Sequence, residues 1–188
     1  MVEVVHHEDG VVAGGLDLTV AANLSARNLQ DPELPNKIWA ILAKWGVPPS
    51  HLEVEITEST IMIDGGQATE VLRRLNAMGI KVAIDDFGTG HSSLSNLKRL
   101  PVDILKIDKS FVRHMADNED DLVIVKSTID LAHNLGLQVV AEGVENEEIW
   151  NHLAALGCDS AQGFHRGRPM QPQEVPWMVG LLQVPSAL

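Results

Sequence analysis

Two adjacent carboxylates follow a short apolar stretch in the sequence KVAIDDFGTG, residues 81–90. The apolar residues 82–84 predict a buried strand, and Asp85 and Asp86 come directly after it. Neighbouring carboxylates repel each other, so holding them at a strand end costs stability unless a cation, a lysine or backbone amides compensate. The pair therefore indicates a cation site, although aspartates also serve as helix caps and turn residues.

Other predicted strands also end in polar side chains, namely Asn23, Glu55, Lys106 with Asp108, Glu142 and Gln162. Carboxylate and amide oxygens suit Mg²⁺ or Mn²⁺ and would make a poor soft-metal site. A carboxylate such as Asp85 can bridge two cations about 3.5–4 Å apart, which activates water and stabilises in-line attack on phosphorus. Asp86 would then bind the second ion, and Lys106 would orient the nucleophile or offset charge on the phosphate.

Each of these residues also has a purely structural interpretation. Glu55 fits a strand-end ion pair, Lys106 a salt-bridge partner and Gln162 a supporting hydrogen bonder. Glu142 and Glu145 fit a helix start, where the helix dipole attracts acidic groups. Five or six such residues at successive strand ends are nevertheless difficult to attribute to packing.

A helix, a glycine and an apolar strand recur in that order along the chain. The helices carry apolar side chains three or four residues apart, and the glycine allows the left-handed backbone that ends a helix. The four copies are IWAILAKWG before HLEVEIT, VLRRLNAMG before IKVAID, TIDLAHNLG before LQVVAEG and IWNHLAALG before CDSAQGF. Together with DLTVAANLS and VDILKIDKS, they predict six strands.

Alternating strands and helices predict parallel strands joined by right-handed crossovers. In an open doubly wound sheet, polar strand ends would gather at one switch point. In a (β/α)8 barrel they converge on one mouth, where the active site of that fold lies. Because six strands contribute polar ends, the predicted fold is α/β, a TIM-like (β/α) barrel.

Composition narrows the class of protein. The chain has 188 residues and is 45% hydrophobic, which suits one domain with a substantial core. Its net charge of −12 argues against binding of nucleic-acid polymers, yet permits a small anionic ligand held through metal ions. The single cysteine, Cys158, excludes an intrachain disulfide and fits a reducing compartment.

Targeting signals do not stand out in the sequence. The longest apolar runs fall short of the roughly 20 residues of a membrane span, and the N-terminus lacks the pattern of a signal peptide. We expect a cytoplasmic protein, or a cytoplasmic domain if the parent protein is membrane-anchored.

Six segments together resemble the successive motifs of the EAL domain family. They are ANLSARNL (22–29), EITES (55–59), IDDFGTGHSSLSNL (84–97), LKIDKSFV (105–112), VVAEGVE (139–145) and QGF with RPM (162–170). Their order and spacing match over residues 16–175. The resemblance implies a (β/α)8-type barrel, commonly dimeric, that hydrolyses the bacterial second messenger cyclic di-GMP to linear pGpG.

The resemblance also implies a cofactor and partners. Mg²⁺ or Mn²⁺ would occupy a two-metal site, and Ca²⁺ would inhibit. One metal would be held by Asn23, Glu55 and Asp85, and the other by Asp85, Asp86 and Glu142. The expected partners are cyclic di-GMP, a second copy of the chain, and an upstream sensor or GGDEF domain in the full-length protein.

The remaining implied roles concern catalysis and a loop. Lys106 would position the attacking water, and the catalytic set would be Lys106, Glu142, Glu145 and Gln162. Glu58 would brace the loop 86–93, which links the metal site to the dimer interface and contains Gly88, Thr89 and Gly90. Arg27 and Arg166 are candidates for phosphate or guanine contacts, or for a surface role.

The front of the chain departs from the family pattern. The family usually has about two further strands and the Glu-Ala-Leu sequence, whose glutamate ligates the first metal, but no such sequence occurs here. We therefore expect an incomplete barrel of six of the eight β/α units, as a fragment or a shortened relative, with impaired activity. The expected divisions are 1–15 as a non-family segment, 16–175 as the phosphodiesterase domain and 176–188 as a tail.

This departure has one structural consequence, and three alternative functions are considered beside hydrolysis. An arc of six strands would leave unpaired edges near 17–23 and 158–164, which invite association. The alternative functions are a receptor that binds cyclic di-GMP without hydrolysing it, and an interaction or dimerisation domain. A barrel isomerase or aldolase would need Lys106 as a Schiff-base amine, which the surrounding carboxylates would keep protonated.

Overall fold

The computed structural model describes residues 2–6, 18–61, 65–90, 97–171 and 174–175. Seven strands form one sheet in chain order. They are β1 Val2–His6, β2 Leu18–Asn23, β3 Leu52–Thr57, β4 Lys81–Phe87, β5 Ile104–Ile107, β6 Gln138–Glu142 and β7 Ser160–Gln162. The predicted tail 176–188 and residues 7–15 and 91–93 of the predicted segments lie outside the described residues.

Among the described residues, helices follow β2, β3, β5 and β6. They are α1 Ala26–Leu29, α2 Leu34–Trp45, α3 Glu58–Ile61, α4 Gly65–Ala77, α5 Lys109–Val112, α6 Glu119–Asn134 and α7 Glu147–Ala155, with a 3-10 turn at Pro49–His51. The predicted glycine stops are confirmed; for example, Gly46 after α2 and Gly136 after α6 have φ of 65° and 75°. In the part of the chain that is described, no helix is long and apolar enough to cross a membrane.

The six predicted strands are confirmed as β2 to β7. Each pairs in parallel with the next, and together they form a curled half-barrel with helices, an incomplete TIM-like α/β barrel. Register places the carboxyl ends of these strands at one edge, because Asn23 pairs with Glu55 and Glu142 pairs with Gln162. This common edge is where the polar residues of the motifs meet.

One expectation about the sheet was wrong. The edge near 17–23 is not unpaired, because β1 pairs with β2 in antiparallel register from Val2 opposite Ala22 to His6 opposite Leu18. The sequence VEVVH is rich in valine, which favours strands, but five residues are too few to give a clear periodic signal. Residues 20–22 of β2 therefore have a strand partner on both sides.

The two faces of the sheet have different chemistry. The face toward the helices is apolar and includes the fully buried side chains of Val54, Ile56, Leu105 and Ile107. The opposite face carries Thr19, Glu53, Glu55 and Lys106, which are buried although they are polar. Helix packing thus stabilises one face, while the inner face of the half-barrel positions charged groups.

Candidate active site

The Asp85–Asp86 pair lies in a β-bulge. Ile84 pairs with Leu105 and Phe87 pairs with Ile107, so two aspartates on β4 stand opposite Lys106 alone on β5. In a regular strand, adjacent side chains point to opposite faces, which would separate the two carboxylates. The bulge and the left-handed backbone of Asp86, with φ of 54°, remove that alternation.

The bulge brings both aspartates to the end of β6. Asp85, Asp86 and Glu142 each offer a ligand oxygen, and these oxygens lie within 4.8 Å of one another. The backbone N–H of Asp86 also donates to Oδ1 of Asp85 at 3.0 Å, which fixes the first carboxylate relative to the bulge. Three carboxylates that close together fit a divalent cation.

Lys106 is the cationic centre of the site. Its Nζ contacts Oε1 of Glu55, lies 2.6 Å from Oε1 of Glu142 and 3.8 Å from Oδ1 of Asp85. Burial lowers the pKa of Lys106, but the charges and hydrogen bonds of Glu142 and Glu55 outweigh it and hold the pKa above its usual value. The ammonium therefore remains charged and donates hydrogen bonds.

Asp108 contacts the second aspartate of the bulge. It caps α5 by accepting from the backbone N–H of Ser110 at 2.9 Å, and it also hydrogen-bonds Asp86. Burial, the charge of Asp85 and this hydrogen bond together raise the pKa of Asp86. Burial alone would raise the pKa of Asp108, but the hydrogen bonds from Ser110 and Asp86 lower it.

Register places the remaining predicted ligands at the same edge. Asn23 ends β2 beside Glu55, and the next N–H, that of Leu24, donates to the Glu55 carbonyl at 2.8 Å. Gln162 ends β7 beside Glu142. Asn23 and Gln162 thus lie at the carboxyl-end edge of the sheet, on its two outermost parallel strands.

The predicted brace, Glu58, lies against the loop after β4. Glu58 begins α3, is 5% exposed, and a Cβ built on Gly90 would stand 2.9 Å from its Oε1. Gly88 faces α5, since a Cβ there would stand 3.0 Å from Cε2 of Phe111. Thr89 closes the turn by donating its hydroxyl to the Asp86 carbonyl at 2.8 Å.

Three predicted residues lie farther from the cluster. Nη2 of Arg113 binds Oε1 of Glu145 at 2.6 Å. The guanidinium of Arg166 lies 4.2 Å from the centre of the Trp150 ring, which engages one face of that cation. Arg27 is exposed on α1.

Two groups near the site, Glu53 and Arg113, were not predicted from the sequence. Glu53 lies on the inner face, two residues before Glu55, and burial and the charge of Glu55 raise its pKa to about 7. The alternation of Glu53 and Glu55 in LEVEIT was a usable signal that both share a face. Arg113 was missed because nothing in the sequence links it to Glu145.

The donor set fits divalent cations. It consists of oxygen ligands, which Mg²⁺ and Mn²⁺ prefer. The carboxylates of Glu55, Asp85 and Glu142 lie around the ammonium of Lys106. Asp86 lies beside Asp85 and Glu142. Clustered carboxylates in excess of cations are costly unless further positive charge is bound or they are protonated. Burial is the main cause of the raised pKa of Asp86, and the charge of Asp85 adds to it.

Comparison with known proteins finds the EAL domain, whose family model matches residues 6–169. MucR of Pseudomonas aeruginosa, a bifunctional diguanylate cyclase/cyclic di-GMP phosphodiesterase, is 44% identical over 86% of this chain and 24% of its own length. The signaling protein YkoW of Bacillus subtilis is 46% identical over 85% of this chain and 20% of its own length. The chain thus spans about a quarter or less of these relatives.

Several solved structures are also similar to this chain. A MucR phosphodiesterase in complex with cyclic di-GMP has a TM-score of 0.78 and 45% identity, covering 82% of this chain and 63% of that chain. The EAL domain of Mycobacterium smegmatis DcpA has a TM-score of 0.82 and 42% identity, covering 88% and 74%. A manganese and cyclic di-GMP complex of Klebsiella pneumoniae BlrP1 has a TM-score of 0.71 and 36% identity, covering 77% and 37%.

Proposed function

Because this chain belongs to the EAL domain family, we propose that it hydrolyses cyclic di-GMP to linear pGpG at the mouth of the half-barrel. The observation that carries the proposal is the bulge that places Asp85 and Asp86 together beside Glu142 and opposite Lys106. The similar protein MucR supports this choice of substrate, because it is a cyclic di-GMP phosphodiesterase and its structure contains cyclic di-GMP.

Mg²⁺ or Mn²⁺ is the proposed cofactor. Asn23, Glu55 and Asp85 would hold one cation, and Asp85, Asp86 and Glu142 the other. When bound, such cations activate water and offset the charge of the phosphodiester. The manganese complex of BlrP1 supports this choice, and we propose that Ca²⁺ occupies the site without supporting turnover.

The protein residues would orient the reactants. A charged Lys106 donates hydrogen bonds, so it would align the attacking water and stabilise negative charge on the phosphate rather than accept a proton. Water would form the new bond to phosphorus, and one P–O ester bond would break and open the ring. Glu145 and Gln162 would complete the surroundings of water and substrate, with Arg27 and Arg166 as candidate contacts to phosphate or guanine.

The wider setting is also a proposal. The relatives are several times longer than this chain, and MucR combines cyclase and phosphodiesterase activities, so we propose an attached sensor or GGDEF domain. We further propose that the chain forms a homodimer, coupled to the site through Glu58 and the loop 86–93. We also propose a cytoplasmic location, which suits the free thiol of Cys158. Burial raises the pKa of this thiol to about 11, so it stays protonated.

A second candidate function is binding of cyclic di-GMP without efficient hydrolysis. The chain contains no Glu-Ala-Leu sequence, the segment whose glutamate is a proposed ligand of the first metal. A metal with fewer ligands is held more weakly and oriented less well. We propose that turnover by this chain is slower than by an EAL domain that carries that glutamate.

Turnover of cyclic di-GMP tests the proposal. We would measure pGpG formation with Mn²⁺ for the parent chain, for Asp85→Asn, and for Asp130→Asn, which makes the same chemical change on the exposed face of α6. The expected result is turnover that Asp85→Asn abolishes and Asp130→Asn preserves. Binding of cyclic di-GMP in Ca²⁺ without turnover in Mn²⁺ would favour the receptor. A chain that shows neither binding nor turnover would favour an interaction domain.

A further inference from the structure

The turn after β6 is held from both sides. A Cβ built on Gly143, whose φ is 73°, would stand 2.5 Å from Cβ of Lys109 on α5. On the other side, the N–H of Val144 donates to the Gln162 carbonyl, and the N–H of His165 donates to the Val144 carbonyl, both at 3.0 Å. The turn that follows Glu142 is therefore shaped by contacts with α5 and with the chain after β7.

Arg113 extends the contact with α5 along the whole turn. It follows α5 and lies one helical turn after Lys109, to whose carbonyl its N–H donates at 3.0 Å, so both side chains share a face. Its Nε lies 3.4 Å from the Cβ position of Gly143, and its Nη2 lies 2.6 Å from Oε1 of Glu145. One guanidinium thus spans the turn from its first to its last residue.

The same helix contacts the other half of the site. Asp108, the N-cap of α5, hydrogen-bonds Asp86, and Phe111 lies where a side chain on Gly88 would project. A shift of α5 relative to the turn would therefore change the separation of Glu142 from the Asp85–Asp86 pair. The contacts of Arg113 oppose such a shift.

We propose that Arg113 is a positioning residue, which orients Glu142 toward the two aspartates by fixing the turn 143–145. The inference rests on the proposed function, because it assumes that Glu142 binds the cation. Arg113 acts through its contacts with Gly143 and Glu145. Its planar fork suits this role, since a lysine can pair with Glu145 but cannot also cover Gly143.

Replacing Arg113 should weaken Mn²⁺ binding by more than the loss of an exposed ion pair alone would explain. The side chains of Arg113 and Glu145 are 42% and 45% exposed, and exposed pairs stabilise a fold little. The chain offers a matched control in Arg73, which pairs with Glu70 at 2.7 Å on the surface of α4. Replacing either arginine removes an exposed ion pair, but only Arg113 adjoins the turn.

The test measures Mn²⁺ affinity by calorimetry, with cyclic di-GMP turnover as a second readout. The variants are Arg113→Ala, Arg113→Lys, Glu145→Gln and Arg73→Ala. Arg113→Ala should weaken Mn²⁺ binding about tenfold, the lower end of effects seen when a group that orients a metal ligand is lost. Glu145→Gln should weaken it in the same direction, Arg113→Lys should restore part of it, and Arg73→Ala should leave it within about twofold of the parent.

A double mutant separates positioning from general destabilisation. Glu142→Gln removes the ligand that Arg113 is proposed to orient, so adding Arg113→Ala to it should cause little further loss of Mn²⁺ affinity. In turnover assays, Arg113→Ala should lower kcat about tenfold and change KM less than about twofold. Equal losses from Arg113→Ala with and without Glu142→Gln would contradict the proposal.

The outcomes distinguish this inference from the proposed function. A parent chain that hydrolyses cyclic di-GMP, with Mn²⁺ affinity indifferent to Arg113, would overturn the positioning role alone. Mn²⁺ affinity that depends on Arg113 without any turnover would support the positioning role and contradict the proposed hydrolysis. A parent chain that binds no Mn²⁺ would contradict both.

Discussion

At the scale of single residues, Lys106 decides the electrostatics of the site. Its side chain is 3% exposed and contacts Glu55 and Glu142, so these residues form a network of ion pairs around a buried ammonium. The sequence predicted that a lysine at this strand end would sit among carboxylates. It did not predict which carboxylates, because that depends on the register of β3, β5 and β6.

Replacing Lys106 by methionine should leave Glu55 buried without its cation. Losing one partner of a buried ion pair costs about 3–5 kcal/mol, so we expect a fall of that size in the free energy of unfolding in EDTA. Mn²⁺ should stabilise the variant more than the parent, since it supplies the missing positive charge. Urea unfolding with and without Mn²⁺ measures both effects, and the exposed Lys126→Met on α6 is the control.

Equal stabilisation of the parent and Lys106→Met by Mn²⁺ would show that the cation does not bind beside Glu55.

Glu53 makes stability depend on pH. Burial and the charge of Glu55 raise its pKa from 4.5 to about 7. Below the lower value the carboxyl is protonated in both the folded and unfolded states, and above the higher value it is ionised in both. Because folding must desolvate the ionised form, this group favours the folded state at low pH and loses that contribution as pH rises through about 7.

The variant Glu53→Gln should lack this dependence. Relative to the parent, its free energy of unfolding should gain about 2 to 3 kcal/mol between pH 5 and pH 8, from the value of one pKa unit. Urea unfolding in EDTA at both pH values measures the change, with the exposed Glu70→Gln as control. A stability difference that stays constant across this range would contradict the raised pKa.

At the scale of elements, the bulge in β4 matters most. The sequence placed Asp85 and Asp86 at a strand end, but alternation along a regular strand would have pointed them to opposite faces. The bulge depends on the pairing with β5, where Lys106 stands opposite both aspartates, and on the left-handed Asp86. Such pairing is tertiary information, so motif spacing alone predicts the residues of the site but not how they converge.

The turn after β6 should tolerate no side chain at Gly143. Alanine there would adopt a positive φ and collide with Lys109, whereas Gly46, also left-handed, has no atom within 4 Å of its Cβ position. Gly46→Ala should therefore cost only the left-handed penalty of about 1–2 kcal/mol and leave turnover unchanged. Gly143→Ala should cost more than that and also lower kcat, measured by thermal unfolding and by pGpG formation.

If Gly143→Ala and Gly46→Ala prove equally mild, α5 does not pack on the turn as closely as the structure indicates.

At the scale of the whole molecule, the half-barrel has a protected edge that the sequence did not predict. The four helix-glycine-strand units and the segments DLTVAANLS and VDILKIDKS predicted the six parallel strands. In each unit the helix has a clear apolar period and ends at a glycine. Strand β1 joins the sheet by main-chain pairing with β2, which five residues without a repeated unit could not reveal. It covers backbone groups that would otherwise face solvent.

Removing residues 1–7 should therefore promote self-association. The deletion exposes the N–H and C=O groups of β2, and an exposed strand edge pairs readily with another chain. Sedimentation velocity should show a larger average species for the shortened chain at equal concentration, along with a lower melting temperature. A shortened chain with the same sedimentation and melting behaviour as the parent would show that β1 does not protect the sheet.

The proposed hydrolysis depends on Asp85 bridging two cations beside Asp86 and Glu142. Anomalous diffraction from crystals grown with Mn²⁺ locates such ions directly. We expect two anomalous peaks about 3.5–4 Å apart, with a carboxylate oxygen of Asp85 within coordination distance of both. A single peak, or peaks remote from Asp85, would contradict the two-cation site and with it the proposed mechanism of hydrolysis.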